Sequence, residues 1–281
     1  MHPDVLTVLN INDPLTRAIE AGHVHDVFQK GGEELARIRR EALQELVSSG
    51  MSNTQIGELL GMTRQRVSQL LKNGPAPERA FLGTDTVTVV VAGKVESDRP
   101  DPQPVVAQDD LVAYDHLKQL ARTLSLDTTY EVVPSGGFVR LNRDNLVVLC
   151  GPRHSPNLRE VIESDEAITF AKDKVGWHLV DNRTGQTRRS PMDEGEPRDF
   201  AYLARLPRPD GKGTFLYAAG IHAVGESGVI NYLEQHIGEM YRTLKKKRFS
   251  AIVECEYDPE SPTREIISSR LVTDYYYPAG A

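Results

Sequence analysis

Cysteine is scarce: the 281-residue chain carries two, Cys150 and Cys255. Each lies in an apolar, strand-like run, Asn145-Leu-Val-Val-Leu-Cys150 and Ala251-Ile-Val-Glu-Cys255, so both read as buried, reduced core thiols. The eight histidines show no HxxxH spacing and no CxxC is present, which leaves a structural zinc without ligands; no metal and no cofactor are expected. Long apolar runs are missing as well. Nothing approaches the roughly 18 to 20 residues that cross a bilayer, and Met1 to Asn12 lacks the basic and apolar regions of a signal peptide. The expectation is a cytoplasmic protein with no membrane partner. Positive charge is also short, with a net charge of −7, which by itself argues against a nucleic-acid partner. Its distribution reverses that argument: residues 1–80 hold nine Lys/Arg against ten Asp/Glu, and Thr63 to Lys72 holds Arg64, Arg66 and Lys72 with no acid.

What is present is enough for two domains. A composition of 39% hydrophobic and 26% charged residues is that of a globular chain, long enough for one domain to bury a sizeable core. Asp13-Pro14 is a helix start, with a short helix expected to about Ala21 and a break at Gly31-Gly32. Glu33 to Ser48 then places Leu35, Ile38, Ala42, Leu43, Leu46 and Val47 at helical spacing, and Gly50 ends the helix. Asn73-Gly-Pro-Ala-Pro77 reads as the start of a linker. Beyond it comes the β-branched run Thr86 to Ala92, a Pro/Asp loop at 98–104, and a helical stripe of Leu111, Tyr114, Leu117, Leu120 and Ala121 opened by Asp109 or Asp110. Strands follow at Tyr130 to Val133 and Leu146 to Cys150, then a helix near Asn157 to Glu163. Hairpins are predicted at 174–190 and 201–219, a helix at about Gly228 to Lys245, a strand at Phe249 to Glu256 and an edge strand at Leu271 to Tyr277. The expected fold class is α/β: an N-terminal all-α domain at 1–78, followed by a larger Rossmann-like α/β domain with β-hairpin insertions at 79–281.

The most informative stretch is Ser52 to Lys72. A helix-turn-helix needs a small residue where its helices cross, a glycine in the turn and an apolar lock on the second helix. Gly57, Gly61 and Val67 meet those needs, with Ile56, Leu60, Met62 and Leu70 on the inner face and Ser52 and Thr63 at the two N-caps. That leaves Arg64, Gln65, Arg66, Ser68, Gln69 and Lys72 outward. Arg suits guanine O6/N7, Gln suits adenine N6/N7, and Ser or Lys suits phosphate. Double-stranded DNA is the expected partner, with Ser52 and Thr63 included in the interface.

Residues 33–72 resemble the helix-turn-helix of sigma-factor region 4 and of related bacterial repressors, in which a segment like Met62-Thr-Arg-Gln-Arg-Val-Ser-Gln-Leu70 enters the major groove. No region that would melt a promoter or grip the polymerase core is visible. The whole resembles actinobacterial one-component regulators, which join such a reader to a C-terminal sensing domain. The resemblance implies a ligand-responsive transcription regulator, and a homodimer follows because one such motif makes too few contacts for tight specific binding.

Two strand-loop-helix junctions stand out in the larger domain. At Val147 to Asn157 a strand runs into Gly151, Pro152, Arg153, His154 and Ser155, and then into a helix whose free N–H groups suit a phosphate. At Phe215 to Gly228, Gly220, Gly225 and Gly228 crowd a strand end, with His222, Glu226 and Ser227 beside them. The first junction resembles nucleotide-sensing Rossmann-like domains of the SLOG kind. The expected ligand residues are Gly151, Pro152, Arg153, His154, Ser155, Asn157, Gly220, His222, Gly225, Glu226 and Ser227, and the expected effector is a small anionic or nucleotide-like molecule. An enzyme is the rival, because His154, His222, Glu226 and Tyr217 are acid/base residue types. No nucleophile-base spacing singles them out, so no catalytic residue is assigned. Trp177 reads as a core or interface anchor, and Lys245 to Arg248 as a solvated helix end.

Overall fold

The structure is a computed structural model describing residues 1–96 and 104–278. The loop expected at 98–104 lies outside the described residues, apart from Pro104. The chain divides into two compact units, Met1–Pro77 and Glu78–Ala281.

The first unit is entirely helical: α1 (Pro3–Leu9), α2 (Pro14–Ser48), α3 (Asn53–Leu60) and α4 (Arg64–Lys72). The Asp13 carboxylate caps α2, accepting the Thr16 N–H at 2.7 Å. The expected break at Gly31-Gly32 does not occur, and α2 runs on for 35 residues. A Cβ at either glycine would meet nothing within 4 Å, so the pair sits on open helix surface, where each costs only about 1 kcal/mol of helix propensity. Just beyond it the Arg37 guanidinium donates to Glu34 at 2.8 Å and to Glu41 at 2.8 Å, side-chain pairs one turn apart that favour continued helix. The core of this unit is Leu43, Ile56 and Val67, flanked by Leu46, Met51, Met62 and Leu70.

The second unit is built on a mixed eight-stranded sheet. Its parallel half comprises β1 (Val87–Val95), β3 (Thr128–Val133), β4 (Leu146–Leu149) and β9 (Thr214–Gly220), with β1 between β3 and β4, and β4 beside β9. Its antiparallel half is β8 (Arg198–Pro207), β10 (Phe249–Tyr257) and β11 (Ile266–Leu271), while β2 (Pro104–Val106) folds back on the end of β1. The two halves meet at the β8–β9 hairpin, whose turn at Arg208 to Gly213 reverses the chain. Runs such as Val89-Val-Val-Ala92 are buried throughout, as strands covered on both faces must be.

One face is covered by α5 (Gln108–Thr123) and α7 (Val224–Leu244), which pack on each other. Against the other lie α6 (Pro156–Glu163), through Leu158 and Ile162, and a three-stranded sheet of β5 (Ile168–Lys172), β6 (Trp177–Asp181) and β7 (Gln186–Arg189). Trp177 is half-buried against Phe170, ring centres 5.6 Å apart. Cys150 and Cys255 are free and buried. Three expectations shift. The final strand is Ile266–Leu271, and of the expected 271–277 segment Tyr276 makes a single bridge to Ser250. β5 joins the first hairpin as a third strand. Finally α7 begins at Val224, so Gly225 and Gly228 lie inside a helix.

Candidate functional site

In the helical unit, α3 and α4 are held at close range by glycine. A Cβ at Gly57 would stand 2.6 Å from the Met62 carbonyl oxygen, and the Gly57 carbonyl accepts the Met62 N–H at 2.9 Å. Gly61 takes φ +64°, the left-handed conformation a glycine adopts without strain. Ser52 and Gln55 form a reciprocal capping box on α3, and the Thr63 hydroxyl accepts the Arg66 N–H at 3.1 Å on α4. With Val67 fully buried, the helical period turns Arg64, Gln65, Gln69 and Lys72 to solvent, with Arg66 also exposed and Ser68 half-buried. Arg64, Arg66 and Lys72 have no ion-pair partner among the described residues.

In the second unit the chain leaves β1 for β3 on one side and returns to β4 on the other. The crevice outside the carboxyl ends of β1 and β4 is therefore a topological switch point, the usual ligand position in an open α/β sheet. Three helices begin at this edge, α5 beyond β1, α6 after β4 and α7 after β9, and none has a side-chain hydrogen bond at its N-cap.

Three carboxyl groups are buried here with an oxygen left unpaired: Asp110 Oδ2, Asp199 Oδ1 and Glu226 Oε2. Burial, and next the Asp110 charge, pushes Glu226 well above the carboxylate range. Burial likewise raises Asp110 and pushes Asp199 up to about 6, against the lowering hydrogen bond from Ser190. The other Asp199 oxygen accepts the His222 N–H at 2.9 Å. Positive charge faces this cluster: Lys94 and Arg153 both act on Asp110 and Glu226. Arg153 spans the two junctions, donating from Nε to His154 Nε2 at 3.0 Å and from a terminal nitrogen to the Ile221 carbonyl at 3.5 Å. Burial, then Arg153 and Lys94, lowers His154 to about 4, so its ring is neutral at physiological pH. The edge thus places three buried carboxyl groups, all raised above their ordinary values, near the exposed Arg153 and the half-buried Lys94, a pairing suited to a ligand with hydroxyl and anionic groups.

The residues expected at this edge divide by what they already do. Arg153, His154, His222 and Glu226 gather there, with His222 Nε2 2.8 Å from Asp193 Oδ1. Asn157 is committed, because it accepts from the Ser155 hydroxyl at 2.6 Å and the Val139 N–H at 3.2 Å and donates to the Val139 carbonyl at 2.7 Å. Pro152 faces a separate cavity of about 110 Å³ with Ile162 and Phe170. Gly220 and Gly225 let α7 approach the sheet, since a Cβ at Gly220 would lie 1.9 Å from the His222 carbonyl oxygen and one at Gly225 2.7 Å from Asp199 Oδ2. Gly151 is less crowded, and Ser227 sits buried in the first turns of α7, whose N-cap is Ala223. Lys94, Asp110 and Asp199 are additions that the junction motifs do not contain. Asp199 carries a local signal, an acid opening the apolar run Phe200-Ala-Tyr-Leu-Ala204.

Glu226→Gln tests the electrostatics. A carboxyl raised in the folded state contributes stability that is complete below its unfolded value and is lost as pH rises. The variant is therefore expected to gain on the wild type as pH rises from about 5 into the neutral range, by at most about 1.4 kcal/mol per pH unit. Urea unfolding at both ends of that range measures it; parallel profiles would mean that Glu226 titrates normally. Comparison of the chain with family models, with curated proteins and with solved structures finds no match.

Proposed function

We propose that this protein is a ligand-responsive, DNA-binding transcription regulator. The observation that carries the reading is α4: a short, double-capped system of two helices locked at Gly57 leaves Arg64, Arg66 and Lys72 exposed and without an ion-pair partner among the described residues. On this reading α3 and α4 are a helix-turn-helix, and α4 enters the major groove with Arg64, Gln65, Arg66, Ser68, Gln69 and Lys72 at bases and phosphates. The parallel half of the sheet is then a Rossmann-like sensor, taking a small anionic or nucleotide-like effector over Arg153, Lys94 and the uncapped helix starts. The protein works as a homodimer that matches a two-fold operator.

A gel-shift titration on DNA from the protein's own promoter region tests this. Site-specific binding is expected, weakening steeply as salt rises, because each phosphate contact releases condensed counterions. Absence of a salt-dependent, sequence-specific shift would end the proposal. The buried acids Asp110, Asp199 and Glu226 favour one rival, a nucleotide-processing enzyme tethered to DNA. Turnover of nucleotides by the full chain, abolished in Glu226→Gln, would select it.

A further inference from the structure

Helix α2 carries more apolar surface than this chain covers. From Leu15 to Ala36 every residue but Val24 and Glu34 is exposed, and the stretch includes Gly22, Gly31 and Gly32, each open to space where a side chain would stand. A long helix draws most of its stability from packing one apolar face, and glycine lowers its intrinsic propensity further. The apolar residues of α2 fall in register. Starting at Ala21, alternate steps of three and four land on Val24, Phe28, Gly31, Leu35, Ile38 and Ala42, and the next steps in either direction are charged, Arg17 and Glu45. This is the seven-residue repeat of a left-handed coiled coil.

Only the two ends of this line are packed within the helical unit. α1 lies on α2 with the His2 ring edge-on to Phe28 at 4.9 Å, and past Ala42 the helix sends Leu43 and Leu46 into the core with Ile56 and Val67. Between them Leu35 is 69% exposed, Ile38 47% and the neighbouring Val27 63%. The charges beside the line are complementary to a second copy of it. One flank carries Glu20, Glu34 and Glu41, the other His25 and Arg39. In a parallel pair Glu34 meets the partner's Arg39, whereas in an antiparallel pair Glu34 faces the partner's Glu34. Arg39 is exposed and has no ion-pair partner among the described residues. Glu34 accepts from Arg37 on its own helix at 2.8 Å, and a carboxylate keeps lone pairs for a second donor.

We propose that this line is a dimer interface, occupied by α2 of a second copy of the chain in a parallel coiled coil, with Leu35 and Ile38 at its centre and Glu34–Arg39 pairs along its flanks. Gly31 leaves one gap in the seam. The proposal rests on the regulatory reading for the expectation of two copies and names the surface that joins them. Parallel pairing also sets both α4 helices at the same end of the coil, as a two-fold operator requires.

Sedimentation equilibrium of the full chain, without DNA, tests the interface. A dimer is expected at micromolar concentration. Leu35→Glu should raise its dissociation constant at least about 100-fold, because the substitution is felt once in each copy. Leu59→Glu, at a leucine of similar exposure, 68%, off the line, should leave it unchanged. Arg39→Glu and Glu34→Arg should each weaken self-association several-fold, and an equimolar mixture of the two should recover it as a heterodimer. Ile38→Cys should form an interchain disulfide on mild oxidation, because parallel pairing sets the two positions opposite each other and the native Cys150 and Cys255 are buried. A monomer at every concentration overturns the interface, and so does a dimer that Leu35→Glu leaves intact. A dimer that Leu35→Glu dissociates but Ile38→Cys does not link overturns the parallel arrangement. None of these measurements involves DNA, so a failed gel shift beside an intact seam ends the regulatory reading alone.

Discussion

Replacing Arg64 and Arg66 together by alanine is expected to lower affinity for a specific DNA site by roughly 30-fold to 10⁴-fold, if each makes one good base or phosphate contact. The expectation rests on the proposed role of α4. Both side chains are exposed and carry no ion pair among the described residues, so their loss should change stability by no more than about 0.5 kcal/mol. The same gel shift repeated over a salt series separates two kinds of contact. A lost phosphate contact flattens the salt dependence by about 0.9 per contact, whereas a lost base contact relaxes sequence preference. Unchanged affinity with an intact fold would remove α4 from the interface; a Tm drop of core-mutation size would show that these arginines are structural.

Gly220→Ala should be the most damaging single substitution in the sheet unit. Its Cβ would lie 1.9 Å from the His222 carbonyl oxygen and 2.9 Å from the Gly225 Cα, both backbone atoms that cannot swing aside. The end of β9 and the start of α7 would have to part, disturbing a helix that buries Val224, Val229, Ile230 and Leu233. A loss above about 4 kcal/mol is expected, a large fraction of the stability of a domain this size. Gly238→Ala in the same helix is the matched control, because a Cβ there meets nothing within 4 Å. It should stabilise by up to about 1 kcal/mol. Denaturant unfolding of both variants settles the contrast. Similar stability for Gly220→Ala and the wild type would mean that the junction is far more pliable than its geometry implies.

The two units differ in how much of their architecture their residues announce locally. α3 and α4 were legible because every determinant lies within 21 residues: caps at Ser52 and Thr63, a crossing at Gly57, a turn at Gly61 and a lock at Val67. The buried strands were legible from β-branched runs such as Val89-Val-Val-Ala92. The start of α7 was not. Glycine is a poor helix former, so Gly225 reads as loop and Gly228 as no more than the first residue of the helix, whereas packing decides otherwise: a Cβ at Gly228 would meet Cys255 Sγ at 2.5 Å. Tertiary contact overrides propensity there. The acid cluster was illegible for a different reason. Asp110, Asp199 and Glu226 stand far apart in sequence, and only the strand order makes them neighbours. Asp110 in particular reads as an ordinary helix-opening acid, and its depth is set by the elements around it.

The glycine pair in α2 sets how that helix comes apart. Toward its C-terminal end α2 is anchored through Leu43 and Leu46, which pack with Ile56 and Val67, and toward its N-terminal end by α1, where the His2 and Phe28 rings lie 4.9 Å apart. Between these anchors Gly31 and Gly32 have no side chain to bury and the lowest helix propensity of any residue but proline. The backbone hydrogen bonds of α2 expected to open first are therefore those in its middle. Native-state hydrogen exchange is therefore expected to show the two ends of α2 opening as separate segments.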